Sequence, residues 1–184
     1  MRGNKKTGGQ SKFIELLHEQ IRHEFSAHQQ YIAVAVWYDG QSLPRLASHF
    51  YRQALEERNH AMMIVRYLLD QGIDVHIPGV DEVRNDFGSA RDPVELALAQ
   101  EKEVTDQFVE LAKTARDEGD YLGEQFLQWF LHEQVEEVAQ MGSLLTIVDR
   151  AGDNLFHVEE FLAREQVGGG GSELHQPVAA GGAV

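Results

Sequence analysis

Residues 56–60 read Glu-Glu-Arg-Asn-His, in the middle of a long helical pattern. Glu57 and His60 are three residues apart and so project from one face of a helix. That face is otherwise hydrocarbon, lined by Leu46, Phe50, Ala54, Ala61, Ile64 and Leu68. A carboxylate and an imidazole on a core-facing stripe cost free energy unless something pairs with them. A fold for this chain must bring them a partner, and a divalent metal ion is the obvious one.

The rest of the chain supplies the frame. Its 184 residues suffice for one domain with a sizeable core. Four prolines and strong helical periodicity point to an all-α protein. Residues 1–10 are polar and glycine-bearing and read as a flexible N-terminus. Ser11 is a candidate N-cap for a first helix ending near Asp39-Gly40, with Leu17, Ile21, Phe25, Tyr31, Ile32 and Ala35 on its stripe. Ser42 is expected to cap a second helix, with Pro44 in its first turn and Gly72 beyond its end. Each helix would approach thirty residues, or roughly 45 Å at about 1.5 Å per residue.

Residues 73–92 form a long connection carrying Pro78-Gly79 and Gly88. A loop of that length suits a four-helix bundle with one crossover. Asp92-Pro93 reads as N-cap and first residue of a third helix, which Gly119 ends. Asp120 opens a fourth that runs to near Gly152, and Asn154 caps a short fifth through about Glu165. The organisation expected is a bundle domain over 11–166 and a disordered Gly/Ala-rich tail over 167–184. Short, long and short connections make the first and second pairs of long helices antiparallel hairpins, with the second and third helices parallel.

Each long helix interrupts its apolar stripe with a carboxylate near its middle: Glu24, Glu57, Glu101 and Glu137, the last beside Gln134. Mid-helix positions in an antiparallel bundle lie at similar heights, so the four can converge. No Lys or Arg stands on those stripes, and His60 is the one obvious base. Unaided, some of these carboxylates would have to be protonated, at a cost of several kcal/mol. Two divalent cations supply four positive charges and remove that need. One Glu from each of two helices with Glu-x-x-His from the others is the two-metal arrangement of carboxylate bundles. The fourth helix departs from it, offering Gln134-x-x-Glu137.

Two readings stand for Tyr31, a core tyrosine with a hydrogen-bonded hydroxyl or a donor to a metal-holding carboxylate. Glu56, Glu133 and Glu136 read either as a solvated acidic face or as a third metal site. His28 reads as a satisfied or exposed histidine, Trp37, Met62 and Met63 as packing residues. Trp129 reads as packing too, with a place near the metals open. A formal charge of −14 argues against nucleic acid as a partner. No apolar run is long enough to span a membrane, and no apolar h-region follows the basic N-terminus. A cytoplasmic location is the default. With no cysteine, thiolate metal sites and disulfides are excluded.

Taken together, Glu24, Tyr31, Glu56-Glu57-Arg58-Asn59-His60-Ala61, Glu101 and Glu133-Gln134-Val135-Glu136-Glu137 resemble the bacterial non-haem ferritins over about residues 12–165. The resemblance implies that Glu24, Glu57 and His60 bind one iron, and Glu57, Glu101 and Glu137 a second. Gln134 would stand beside them, Glu56, Glu133 and Glu136 would form the extra iron site, and Tyr31 would be the tyrosine beside the centre. It further implies Fe(II) oxidation by dioxygen or peroxide, and a mineral held in a shell of twenty-four subunits, with the fifth helix at the fourfold axes. Glu124 matches a channel-lining acidic position, and Leu127 occupies the second. Bacterioferritins bind haem through a methionine after the bridging glutamate; Arg58 stands there, so no haem is expected. The competing readings are a substrate-oxidising di-metal enzyme, of monooxygenase or manganese-catalase type, and a metal-free structural bundle.

Overall fold

In the computed structural model, which describes residues 11–165 and 175–184, five helices account for the regular structure: α1 (Lys12–Gly40), α2 (Pro44–Asp70), α3 (Arg91–Glu118), α4 (Tyr121–Ala151) and α5 (Phe156–Glu165). Ser11 caps α1 as its sequence suggests, its hydroxyl oxygen accepting from the Ile14 amide at 3.3 Å. Glu118, at the far end of α3, accepts from both the Ser11 hydroxyl (2.6 Å) and the Lys12 amide (2.9 Å). That contact sets α1 and α3 antiparallel. The α1–α2 and α3–α4 turns are short, so α2 and α3 run parallel, joined by the irregular crossover.

Two caps differ from expectation. Ser42 does not cap α2; it sits in the turn with a left-handed backbone, φ 61°. Leu43 occupies the cap position and offers no side-chain acceptor. Glu159 of α5 does the work instead, accepting from the Arg45 amide at 2.8 Å and the Leu46 amide at 3.0 Å. A carboxylate there also meets the positive end of the helix dipole. α3 begins at Arg91, one residue before the expected cap. Asp92 still organises the turn, accepting from the Gly88 amide and the Ser89 hydroxyl.

The crossover is tied to α1 rather than left loose. Gln30 pairs with the Arg84 backbone through two 2.8 Å hydrogen bonds, Arg22 reaches Asp81, and Tyr38 donates to the Ala90 carbonyl. At the opposite end of the bundle Gly123 lets α4 meet Phe13. A Cβ there would lie 2.3 Å from the phenyl ring.

The core divides into two apolar clusters. One gathers Tyr31, Tyr38, Leu46, Phe50, Val94, Met141 and Val148, and α5 adds Val158 and Leu162. The other gathers Phe13, Leu17, Ile21, Ile64, Leu68, Phe108, Leu127 and Phe130. Ala179, from the end of the chain, joins the second cluster.

The tail thus corrects the expectation of disorder in its last ten residues; 166–174 lie outside the described residues, as do 1–10. The Ala180 amide donates to the Met62 carbonyl at 3.0 Å. The Asn59 side chain both donates to and accepts from the Val184 backbone, each at 3.3 Å. Among the described residues no helix is long and apolar enough to cross a membrane.

Candidate metal centre

Between the two apolar clusters lies a belt of polar groups. α1 contributes Glu24, α2 Glu57 and His60, α3 Glu101, and α4 Gln134 and Glu137, all buried. Each stands on the core stripe of its helix, which is why the packing that hides the hydrocarbon hides them too. Ligand-type atoms of Glu24, Glu57 and His60 lie within 4.8 Å of one another, and so do those of Glu57, Glu101 and Glu137. Glu57 belongs to both groups. The four carboxylates that the sequence placed on four helices do converge, around one shared residue.

The hydrogen bonds explain the orientation of each group. His60 Nδ1 faces Glu57 Oε2 at 3.2 Å and Glu24 Oε2 at 3.7 Å. Gln20, one turn before Glu24, donates to Glu24 Oε1 at 2.8 Å. Tyr31 donates to Glu101 Oε1 through a short hydrogen bond, so of its two readings the structure shows the carboxylate donor. Thr105 donates to Gln134 Oε1 at 3.0 Å, which directs the amide of Gln134 beside Glu101. Gln20 and Thr105 were not singled out from sequence. Gln20 could have been found from its i, i+4 spacing to Glu24; Thr105 had no comparable signal.

One oxygen of each carboxylate is left over. Glu24 Oε2, Glu57 Oε1, Glu101 Oε2 and Glu137 Oε2 are buried with no hydrogen-bond partner among the described residues. Four buried carboxylate oxygens without a hydrogen bond in one belt are not what a structural core tolerates. They are the hard donor set, with one imidazole, that divalent or trivalent first-row metals accept.

The electrostatics agree. Burial, with the neighbouring Glu101 carboxylate adding to it, pushes Glu57 well above the usual carboxylate range. Burial and Glu101 do the same to Glu137. Burial raises Glu101 to about 7 despite the Tyr31 hydrogen bond. Glu24 goes the other way: burial opposes ionisation, but the hydrogen bond and charge of His60 outweigh it. Burial disfavours the His60 imidazolium too, and Glu24 and Glu57 together overcome that and raise it well above its ordinary value. A metal pair would bind these groups deprotonated and so would oppose those upward shifts.

The expected third group is only partly assembled. Glu133 joins His60 and Glu137 within 4.8 Å, whereas Glu56 and Glu136 complete no such group with it among the described residues. Glu133 and Glu137 are four apart and share a face. Glu136 is turned from Glu137 by about 100° around the helix, is exposed, and faces His132 at 3.5 Å. Glu56 is exposed and accepts from the Gln53 side chain.

Other assignments fall into place. His28 Nδ1 bonds the Ala54 carbonyl at 2.6 Å and is no part of the centre. Trp129 lies against it, its ring centroid 5.5 Å from that of His60, and Trp37 packs on Phe87. Arg58 bonds Asn59 at 3.2 Å. Glu124 is paired with Arg116. Leu127 is fully buried in its own bundle and so does not present itself at the surface as a channel position would.

Known proteins resemble this chain. The family model of the ferritin-like domain matches residues 14–151. The ferritin BfrB of Mycolicibacterium smegmatis is 61% identical over 174 residues, covering 95% of this chain and 96% of that one. A Mycobacterium tuberculosis relative, named both ferritin and bacterioferritin BfrB, is 60% identical over 158 residues, 86% of this chain and 87% of its own. The bacterial non-heme ferritin of Staphylococcus aureus is 38% identical over 141 residues, 77% and 85%. Among solved structures, an open-pore ferritin from Archaeoglobus fulgidus superposes with a TM-score of 0.82 at 25% identity, over 88% of this chain and all of that one. With a bundle of this topology, a carboxylate belt at its middle and relatives of this closeness, the chain belongs to the ferritin family and resembles its bacterial non-haem members.

Proposed function

We propose that this protein stores iron. It takes up Fe(II) as substrate at the Glu24–Glu57–His60–Glu101–Glu137 centre, oxidises it there, and keeps the ferric product inside a shell of twenty-four copies. The observation that carries the reading is the set of four buried carboxylates, each with one oxygen lacking a hydrogen bond among the described residues, arranged with His60 as two groups sharing Glu57. Two Fe(II) ions supply the positive charge that the belt lacks. They also supply the two electrons that take dioxygen to the level of peroxide. Oxygen-rich ligands favour the ferric state and so drive electrons outward.

The chain's own groups have separable tasks. Glu57, common to both groups, would serve both ions and let their separation change as oxidation proceeds. Tyr31 and Gln20 hold Glu101 and Glu24 in place through their hydrogen bonds. Thr105 holds Gln134. As iron enters, protons leave the raised carboxylates, and hydrolysis of the ferric product releases more. Glu133, beside His60 and Glu137, offers a neighbouring position for a third ion. Names of the relatives support storage over a substrate-oxidising enzyme, since they are ferritins over nearly the same length. A cytoplasmic, haem-free protein is part of the same reading.

The test is to add Fe(II) in air to the metal-free protein and follow both rate and product. Fast oxidation, and a large hollow particle that gains an electron-dense core, are expected. A small dimer that oxidises iron without retaining it would replace storage with a di-metal enzyme. No binding of iron, manganese or zinc would leave only a structural bundle.

A further inference from the structure

We infer that α2 carries a further divalent-cation site, formed by His49 Nε2 and Gln53 Oε1 and served by the exposed carboxylate of Glu56. The inference rests on the storage reading for its role but on separate atoms for its existence. His49, Gln53, Glu56 and His60 follow one another at intervals of four, three and four residues, so they form a single row on α2. The row leads from the metal centre toward the end of the bundle that α5 covers, about 16 Å from His60 to His49 at about 1.5 Å per residue.

Two atoms of this row are orphans. His49 is 8% exposed and Gln53 3%, and both His49 Nε2 and Gln53 Oε1 are buried without a hydrogen-bond partner among the described residues. Gln53 has its amide nitrogen committed to Glu56. That fixes which end of the amide is the oxygen and leaves Oε1 on the other side. Both orphans present lone pairs when the imidazole is neutral at Nε2, and each asks for an electron-pair acceptor. Burial first, and the Arg52 charge second, lower His49 to about 4, so the imidazole is neutral at physiological pH, as a ligand must be. Arg52 opposes a cation, but it is exposed and donates to Ser48 at 3.1 Å, and Glu56 offsets its charge.

Imidazole nitrogen, amide oxygen and a nearby carboxylate suit Fe(II), Zn(II) or Co(II), with waters completing the shell. A buried bridging water is the competing occupant, since it too can satisfy two acceptors. Geometry gives the site its use. Glu56 is the exposed member, hydrogen-bonded to Gln53 and one turn before His60 on the same row. An ion arriving there has two destinations, and the His49–Gln53 position holds one in reserve while the centre is occupied.

Zn(II) is redox-inert and scatters anomalously, so the assembled protein soaked with Zn(II) alone tests this. Anomalous signal is expected between His49 Nε2 and Gln53 Oε1 as well as at the Glu24–Glu57–His60 centre. His49→Leu should weaken Zn(II) at the new position by at least about tenfold, and His49→Asn, which keeps a donor atom, should restore part of it. Signal at the main centre but only an ordered water at His49 would overturn the inference and leave the storage reading standing. Signal at neither would sink both. Zn(II) retained between the two side chains in His49→Leu would also overturn the assignment.

Discussion

At the Phe13 end of the bundle, Phe108 and Phe130 stack with centroids 4.8 Å apart, and Leu17 and Ile21 close around them. One turn beyond Ile21, on the same stripe of the same helix, stands Glu24 in a belt where four carboxylate oxygens have no hydrogen bond among the described residues. The two regions are equally buried and are made by the same four helices. The aromatic end is hydrocarbon packed on hydrocarbon, its rings stacked on one another. In the belt, by contrast, the chain has assembled groups that stabilise something else. Helices this long are needed because the apolar ends must hold together a middle that resists being buried.

That contrast is open to attack from either side. Phe108→Ala removes a fully buried ring from the aromatic end and should cost about 3–5 kcal/mol of stability, read by denaturant unfolding of the metal-free protein. Zn(II) bound at the belt should be within a few-fold of normal in the molecules that remain folded. Loss of metal binding with little loss of stability would invert the assignment of roles. Glu57→Gln makes the opposite change. It should slow Fe(II) oxidation by about 100-fold, or about 2.7 kcal/mol in the barrier, in stopped-flow absorbance. The metal-free variant should melt no lower than the parent, because Gln matches the neutral form that burial and Glu101 already favour at Glu57.

The belt should also show itself in pH. Glu57, Glu101 and Glu137 have raised pKa values in the folded state, Glu101 at about 7. A raised carboxylate contributes stability that is fully present below its unfolded value, about 4.3, and lost as pH rises through the folded value. His60, also raised, behaves in the same sense from about 6.5 upward. Glu24, lowered, acts oppositely, its contribution being lost as pH falls below the unfolded value. Three carboxylates and a histidine outweigh one carboxylate. The metal-free protein should therefore lose on the order of 1–2 kcal/mol between about pH 5 and pH 8. Saturating Zn(II) should reverse that slope, because metal binding needs the deprotonated groups. A flat profile without metal would mean that the carboxylates are solvated rather than crowded.

The belt was legible in the sequence because its signal is a contradiction, charged residues in phase with an apolar stripe, repeated on four helices. Helix ends were legible where the cap is local, as at Ser11 and Asp120, whose side chains accept from amides three residues on. They were misread where the cap is tertiary. Nothing near Ser42 announces that Glu159, more than a hundred residues away, satisfies the first amides of α2. The third group was legible only in part: Glu133 and Glu136 are three apart on α4, yet Glu133 faces His60 and Glu137 while Glu136 is exposed beside His132. The tail was hidden by composition, since Gly and Ala read as linker whether or not a groove receives them.

Asn59 shows how sharp the boundary between the two kinds of region is. It is the residue before His60, yet its side chain points to the end of the chain, exchanging two hydrogen bonds with the Val184 backbone. Asn59→Ala should remove both, at about 0.5–1.5 kcal/mol each. The loss should be local, because the tail's other holds, the Ala180–Met62 hydrogen bond and the burial of Ala179, are separate. Hydrogen exchange should rise in the last few residues and stay unchanged in the bundle. Because the residue lies on the outward side of α2, Zn(II) binding at the centre should change by less than about threefold, well short of the 10–100-fold typical of a group that orients a ligand. A larger loss would mean that the tail and the metal centre form one unit, and that the line between self-sufficient core and binding belt runs outside Asn59 rather than between it and His60.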